Sequence, residues 1–335
     1  MVFLANKIMI HFHETGGKSV LEMKKDIESF LRVNGGIRKA KVGENIDPKF
    51  MMKAYKYCEQ LKNMGFLLDF GNHRKVPILG NKYINLGNDL RIGEYGGYDF
   101  LLQGFQLIQK SFSDSVLKVV VQDKIGDYGI GTCFLVGENL IVTAKHCIEN
   151  FSKVVITDYK GNHIIPERII ISQDPKIDIA VIKTKKKVFQ KGKHFIFGEP
   201  EVLEEVLTMG FPPLATFDAI QINDTAHINS IQKCSKGNIV AQERRYGDSV
   251  DYIILNARVK GGNSGGPVIN KFGTVVGIIV NMLPDIKQPE KFDELGYGIA
   301  ISSNEIIKII ENDYKNENCE FIPFKMLDDG FGTVL

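Results

Sequence analysis

Residues 260–268 read K-G-G-N-S-G-G-P-V, and how this stretch is read decides the fold of the larger part of the chain. Four glycines and a proline surround Ser264, with Asn263 directly before it. Glycine permits tight turns and close backbone approach. It also leaves backbone N–H groups free to converge on an oxyanion instead of a sheet partner. A hydroxyl is a poor nucleophile until a base takes its proton, so a nucleophilic Ser264 requires a histidine elsewhere. Alone, the stretch equally suits a tight hairpin.

Of the seven histidines, His146 stands out. It follows the apolar run Leu140 to Ala144 in T-A-K-H-C, and strand ends are where a rigid scaffold presents catalytic groups. Asp178 lies in K-I-D-I-A-V-I at the start of another apolar run. An acid there is costly to bury unpaired, so a partner is expected. Singly, these motifs also describe a strand ending in a surface histidine and a buried strand with an edge aspartate. Together, in the order His, Asp, Ser and separated by 32 and 86 residues, they point to one site.

That order marks the chymotrypsin type of triad, not the subtilisin or α/β-hydrolase orders. From Val116 to Ile310 the chain resembles the trypsin-like serine peptidases. Gly131-Thr132-Cys133-Phe134 and Asp174-Pro175 place it closest in style to the bacterial high-temperature-requirement, or Do-like, proteases. The resemblance implies two antiparallel β-barrels and a serine endopeptidase that forms an acyl-enzyme on protein or peptide substrates. Ser264 would be the nucleophile, His146 the base and then acid, and Asp178 the group that orients the imidazole. The N–H groups of Gly262 and Ser264 would form the oxyanion hole. Substrate would be bound by Arg258, by Val280 and Met282 on the strand after the serine, and by Gly298 within Tyr297 to Ala300. Arg258 would favour an acidic side chain if it faced the pocket, and would do nothing there if it faced solvent.

The departures carry information. Asn263 stands where the digestive enzymes carry the aspartate that binds a newly cut N-terminus, so no N-terminal processing is expected. Cys147 follows the histidine as in secreted animal enzymes, where it is bridged; Cys133 is its one nearby candidate partner. Only 24 residues follow Glu311, so no PDZ domain is expected.

The composition is that of a globular chain: 335 residues, 44% hydrophobic, 24% charged, formal net charge +2. No overall charge draws it to nucleic acid or anionic membranes. No apolar run nears the roughly 18 residues that span a bilayer. The N-terminus lacks a basic leader and cleavage site, and the five cysteines are odd in number and scattered. A cytoplasmic protein with free thiols is expected. No cofactor or metal is expected either: H-F-H at 11–13 lacks a third ligand, and T-G-G-K-S at 15–19 has Phe12 where a phosphate loop needs glycine.

The overall expectation is an α+β chain with three parts. Residues 1–110 would be a regulatory or recruitment domain, 111–313 the all-β double-barrel peptidase, and 314–335 a polar tail. In the first part, helices over 19–32 and 48–63, a basic stretch at 37–41 and two short strands suit a small α/β or winged-helix domain. Lys49, Lys53, Lys56 and Lys62 would then dot a helix able to meet nucleic acid, or simply form a solvated face. An activating protein or ligand would act on this domain. The alternative function is a DNA- or protein-binding regulator whose peptidase fold only binds or cuts itself.

Overall fold

Short runs of valine and isoleucine, broken by glycine and asparagine, become strands here because branched side chains pack well on a pleated, buried surface. The computed structural model describes residues 3–13, 25–72, 77–87, 90–149, 151–188, 193–213, 219–222, 226–244, 250–280, 297–315, 317–326 and 332–334. The chain forms two compact units, Met1–Gly104 and Phe105–Leu335.

Unit 1 contains helices α1 (Leu4–Phe12) and α2 (Ile27–Val33), a hairpin of β1 (Ile37–Lys39) and β2 (Glu44–Ile46), helix α3 (Pro48–Asn63), a hairpin of β3 (Leu67–Asn72) and β4 (Asn81–Asn85), and helices α4 (Leu90–Tyr95) and α5 (Gly97–Gln103). The start of α3 is set by Asp47, whose side chain accepts the Phe50 N–H, and by Pro48 at the first helical position. The helix expected over 19–32 begins at Ile27, because Asp26 and Ser29 form a reciprocal capping box; residues 14–24 lie outside the described residues. His11 and His13 sit at the end of α1, not on a strand, and His11 Nε2 meets Ser29 Oγ at 3.1 Å. Phe12, Phe30, Leu31, Cys58 and Leu61 share one core. Beside it the buried Asp99 accepts the N–H groups of Ala5 and Asn6 at 3.1 and 2.9 Å, satisfying the first turn of α1.

Unit 2 opens with α6 (Phe105–Phe112), so the boundary falls six residues before the position expected from sequence. The helix belongs here because Phe112 stacks on Phe195 at 4.3 Å between centroids, and Phe195 meets Phe134 edge-on. Next come β5 (Val116–Gln122), β6 (Tyr128–Leu135), β7 (Leu140–Thr143), β8 (Lys153–Ile156), β9 (Pro166–Ser172) and β10 (Ala180–Thr184). They lie in the order β9-β10-β7-β6-β5-β8 within a nine-stranded sheet. The second half adds β11 (Glu205–Gly210), the small hairpin β12 (Ala219–Ile222) and β13 (Ala226–Asn229), then β14 (Lys233–Arg244), β15 (Asp251–Leu255), β16 (Pro267–Asn270), β17 (Val275–Val280) and β18 (Gly298–Ser302). Here β11-β14-β15-β18-β17-β16 close into a barrel. The two halves have separate cores of mainly isoleucine and valine.

After helix α7 (Ser303–Lys315), the residues expected to be a tail instead form β19 (Cys319–Ile322), β20 (Phe324–Met326) and β21 (Gly332–Val334). β19 pairs with β9, and β21 with β8 and β20. Both edges of the first sheet are thereby covered, satisfying backbone groups that would otherwise stand open. Phe195 is 1% exposed and touches both α6 and β6, so Phe195→Ala is expected to cost about 3–5 kcal/mol of unit 2 stability in urea denaturation.

Candidate active site

The register between β7 and β10 sets up the first half of the site. Thr143 pairs with Ala180, so the residues just past the end of β7 face those just before β10. His146 sits in a single 3-10 turn, Lys145–Cys147, and Asp178 lies two residues ahead of β10. The Asp178 carboxylate accepts twice: from the His146 backbone N–H at 2.8 Å, and from ring Nδ1 at 2.5 Å. This bond fixes the tautomer with the proton on Nδ1, leaving Nε2 as the acceptor.

Nε2 faces the Sγ of Cys147 at 3.6 Å, and the same thiol donates to the carbonyl of Ser264 at 3.4 Å. Cys147 therefore links the histidine to the serine turn. All five cysteines are free, Cys133 and Cys147 among them. Burial works against the charged imidazole, but the bond to Asp178, aided by Cys147, outweighs it and lifts the His146 pKa from 6.5 to about 10. A raised histidine stabilises the fold fully below pH 6.5 and loses that contribution as pH climbs toward 10. The melting-temperature gap between wild type and Asp178→Asn should therefore narrow over that interval, as followed by calorimetry.

The turn bearing Ser264 is held from β6. Thr132 N–H donates to the Ser264 carbonyl at 2.9 Å, and Thr132 Oγ1 donates to the Gly262 carbonyl at 2.6 Å while accepting the Phe211 N–H at 3.1 Å. Inside the turn, Asn263 N–H reaches the Lys260 carbonyl and Gly266 N–H the Asn263 carbonyl. With their carbonyls engaged, the N–H groups of Gly262 and Ser264 have no acceptor among the described residues. Gly262 has φ of +92° and Gly265 +80°, the left-handed region that favours glycine. At Gly265 a Cβ would also stand 2.1 Å from the Thr132 carbonyl oxygen and 2.5 Å from Thr143 Oγ1. Gly265→Ala should cost about 3 kcal/mol by strain and overpacking, seen as an earlier unfolding midpoint.

The sequence-based substrate residues separate into two places. Val280, 4% exposed, ends β17 beside Ile299 of β18, and Gly298 opens β18 opposite Leu255. Val259 is the side chain against Gly298, where an added Cβ would lie 2.5 Å from its Cγ2. Arg258 is exposed and lines a different cleft, with Lys233, Lys260 and Asn263. Met282 lies outside the described residues. Thr132 escaped the sequence reading as a functional residue; its only signal was its place in G-T-C-F. Among the described residues, no three His, Cys, Asp or Glu side chains gather as a metal site.

A strand-end histidine paired with an aspartate, and a glycine-rich serine turn pinned beside it, are the arrangement that the resemblance to trypsin-like serine peptidases leads one to expect. Residues 131–278 match the trypsin-like peptidase domain family and contain all three residues, so this part of the chain is a trypsin-like peptidase domain. A probable periplasmic DegP-like serine endoprotease of Chlamydia pneumoniae is 32% identical over 149 residues, 44% of this chain and 28% of that protein. The serine endoprotease DegS of Haemophilus influenzae is 28% identical over 209 residues, 61% of this chain and 56% of that one. The chain thus spans between about a quarter and a half of the relatives' lengths. The crystal structure of a serine endoprotease from Yersinia pestis aligns with a TM-score of 0.46 at 18% identity, covering 64% of this chain and 67% of that one.

Proposed function

We propose that the chain is a serine endopeptidase in which Ser264, His146 and Asp178 act as a triad. The observation that carries this reading is the Nδ1–Asp178 bond, which leaves Nε2 as the one ring atom able to take a proton. In this scheme Ser264 Oγ attacks the scissile carbonyl while His146 Nε2 receives the hydroxyl proton. Asp178 stabilises the resulting imidazolium, which then protonates the leaving amine. The unengaged N–H groups of Gly262 and Ser264 stabilise the tetrahedral oxyanion. Water attacks the acyl-enzyme in the second half-cycle, with His146 again the base. Val280 and Gly298 border the substrate, with Val259 lying against Gly298.

The experiment is active-site labelling. A fluorophosphonate probe should label wild type and fail on Ser264→Ala, while Asp178→Asn should lower kcat about 10⁴-fold. Because only neutral His146 accepts a proton, kcat/KM should rise with pH on the alkaline side of neutrality, approaching a plateau above about pH 10. Absence of Ser264 labelling at every pH would instead favour the reading in which the domain binds without cutting.

Asn263 cannot pair with an N-terminal ammonium, so we assign control to something other than N-terminal cleavage, with unit 1 as recruiter or sensor. Its helix α3 presents Lys49, Lys53 and Lys56 exposed, while Ala54, Tyr57, Cys58 and Leu61 are buried. That face suits a polyanionic or acidic partner. Five free thiols favour work in a reducing, cytoplasmic setting.

A further inference from the structure

Behind the serine turn lies a cleft of about 210 Å³ whose charged side chains are Lys233, Arg258 and Lys260; no acid lines it among the described residues. Arg258 and Lys260 are exposed and form no ion pair among the described residues. The Arg258 backbone N–H donates to Ser235 Oγ at 3.0 Å, which ties this position to β14 across the cleft. Asn263 borders the same space. It is 6% exposed, and its side-chain amide has no hydrogen-bond partner among the described residues. Exposed cations such as Arg258 and Lys260 beside a concavity raise the local concentration of anions.

We propose that this cleft is a binding site for the carboxylate of an acidic peptide, and that its occupancy sets the turn carrying the oxyanion donors. Arg258 and Lys260 neutralise the carboxylate, the guanidinium by paired N–H donors. The Asn263 amide supplies a further donor from the floor. Pro212 and Cys234 give the cleft an apolar wall, which suits a carboxylate carried on methylene groups better than a compact phosphate. The coupling is short in covalent terms. Lys260 is both a wall of the cleft and, through its carbonyl, the acceptor of Asn263 N–H at 3.0 Å. Fixing Lys260 and Asn263 fixes the peptide units on either side of Gly262. The binding half stands by itself, whereas the effect on catalysis rests on the peptidase reading.

Cys234, an exposed thiol on the cleft wall, allows a test independent of turnover. Iodoacetate carries a carboxylate and iodoacetamide does not. The ratio of their alkylation rates at Cys234, read by mass spectrometry with Cys319 as internal reference, should exceed that at Cys319 about ten-fold. Arg258→Gln with Lys260→Gln should abolish the excess without changing the melting temperature. Equal ratios at the two thiols, or an excess surviving in the double variant, would overturn the site. N-acetylglutamate should slow iodoacetamide at Cys234 more than inorganic phosphate does; the reverse order would overturn the carboxylate assignment. In wild type, N-acetylglutamate should also speed fluorophosphonate labelling of Ser264, and an unchanged labelling rate would overturn the coupling. Failure of Ser264 to label at all, with the Cys234 ratio intact, would count against the peptidase reading and support the site as a binding feature in its own right.

Discussion

Thr132 bears the constraint on which the rest of the site depends. It lies on β6, in the first half of unit 2, fully buried. From there it engages the serine turn twice, through backbone N–H to Ser264 and through hydroxyl to Gly262, and its hydroxyl also receives the Phe211 N–H. Its own carbonyl takes the Thr143 hydroxyl. One residue thus uses its backbone N–H, its backbone carbonyl and its hydroxyl to lock the Ser264 turn against the strand that leads to His146. Hydrogen bonds in such a dry setting are costly to leave unmade, so the network holds its geometry as a unit.

Around that lock the charges are arranged asymmetrically. The Asp178 carboxylate is committed to His146 by two donors, and the imidazole responds with a strongly raised basicity. On the other side of the turn, Arg258 and Lys260 stand without acids among the described residues. A serine turn bounded by a satisfied carboxylate in front and unsatisfied cations behind is electrostatically lopsided. Small changes in what occupies the rear cleft act on the same few peptide groups that would meet developing negative charge in front.

The motifs His146, Asp178 and Ser264 were readable because each combines a chemically special residue with a local pattern: a strand end, an isoleucine flank, a run of glycines. The strands were readable for the same reason, as β5, β7, β8, β15 and β17 are built mainly from apolar residues. The start of α3 was legible in Asp47-Pro48, since capping is a local event. What could not be read depends on partners distant in the chain. The strand character of 319–334 arises because β9 and β8 offer open edges, which the stretch itself does not announce. Arg258 aligns in sequence with a pocket, yet which way it faces is decided by Ser235 and Val259. Thr132 looks like an ordinary strand residue until the turn 132 positions downstream packs onto it.

The edge strands β19 and β21 have a consequence for biosynthesis. The partners Ile322–Ile169 and Gly332–Val154 lie far apart in sequence, so their pairing needs nearly the whole chain and bears the entropy of closing long loops. While a ribosome is still delivering residues 319–334, the sheet supporting His146 and Asp178 is incomplete at both margins. Full order at the site is therefore deferred until synthesis has passed β21. The topology itself thus acts as a timer on the completion of that sheet.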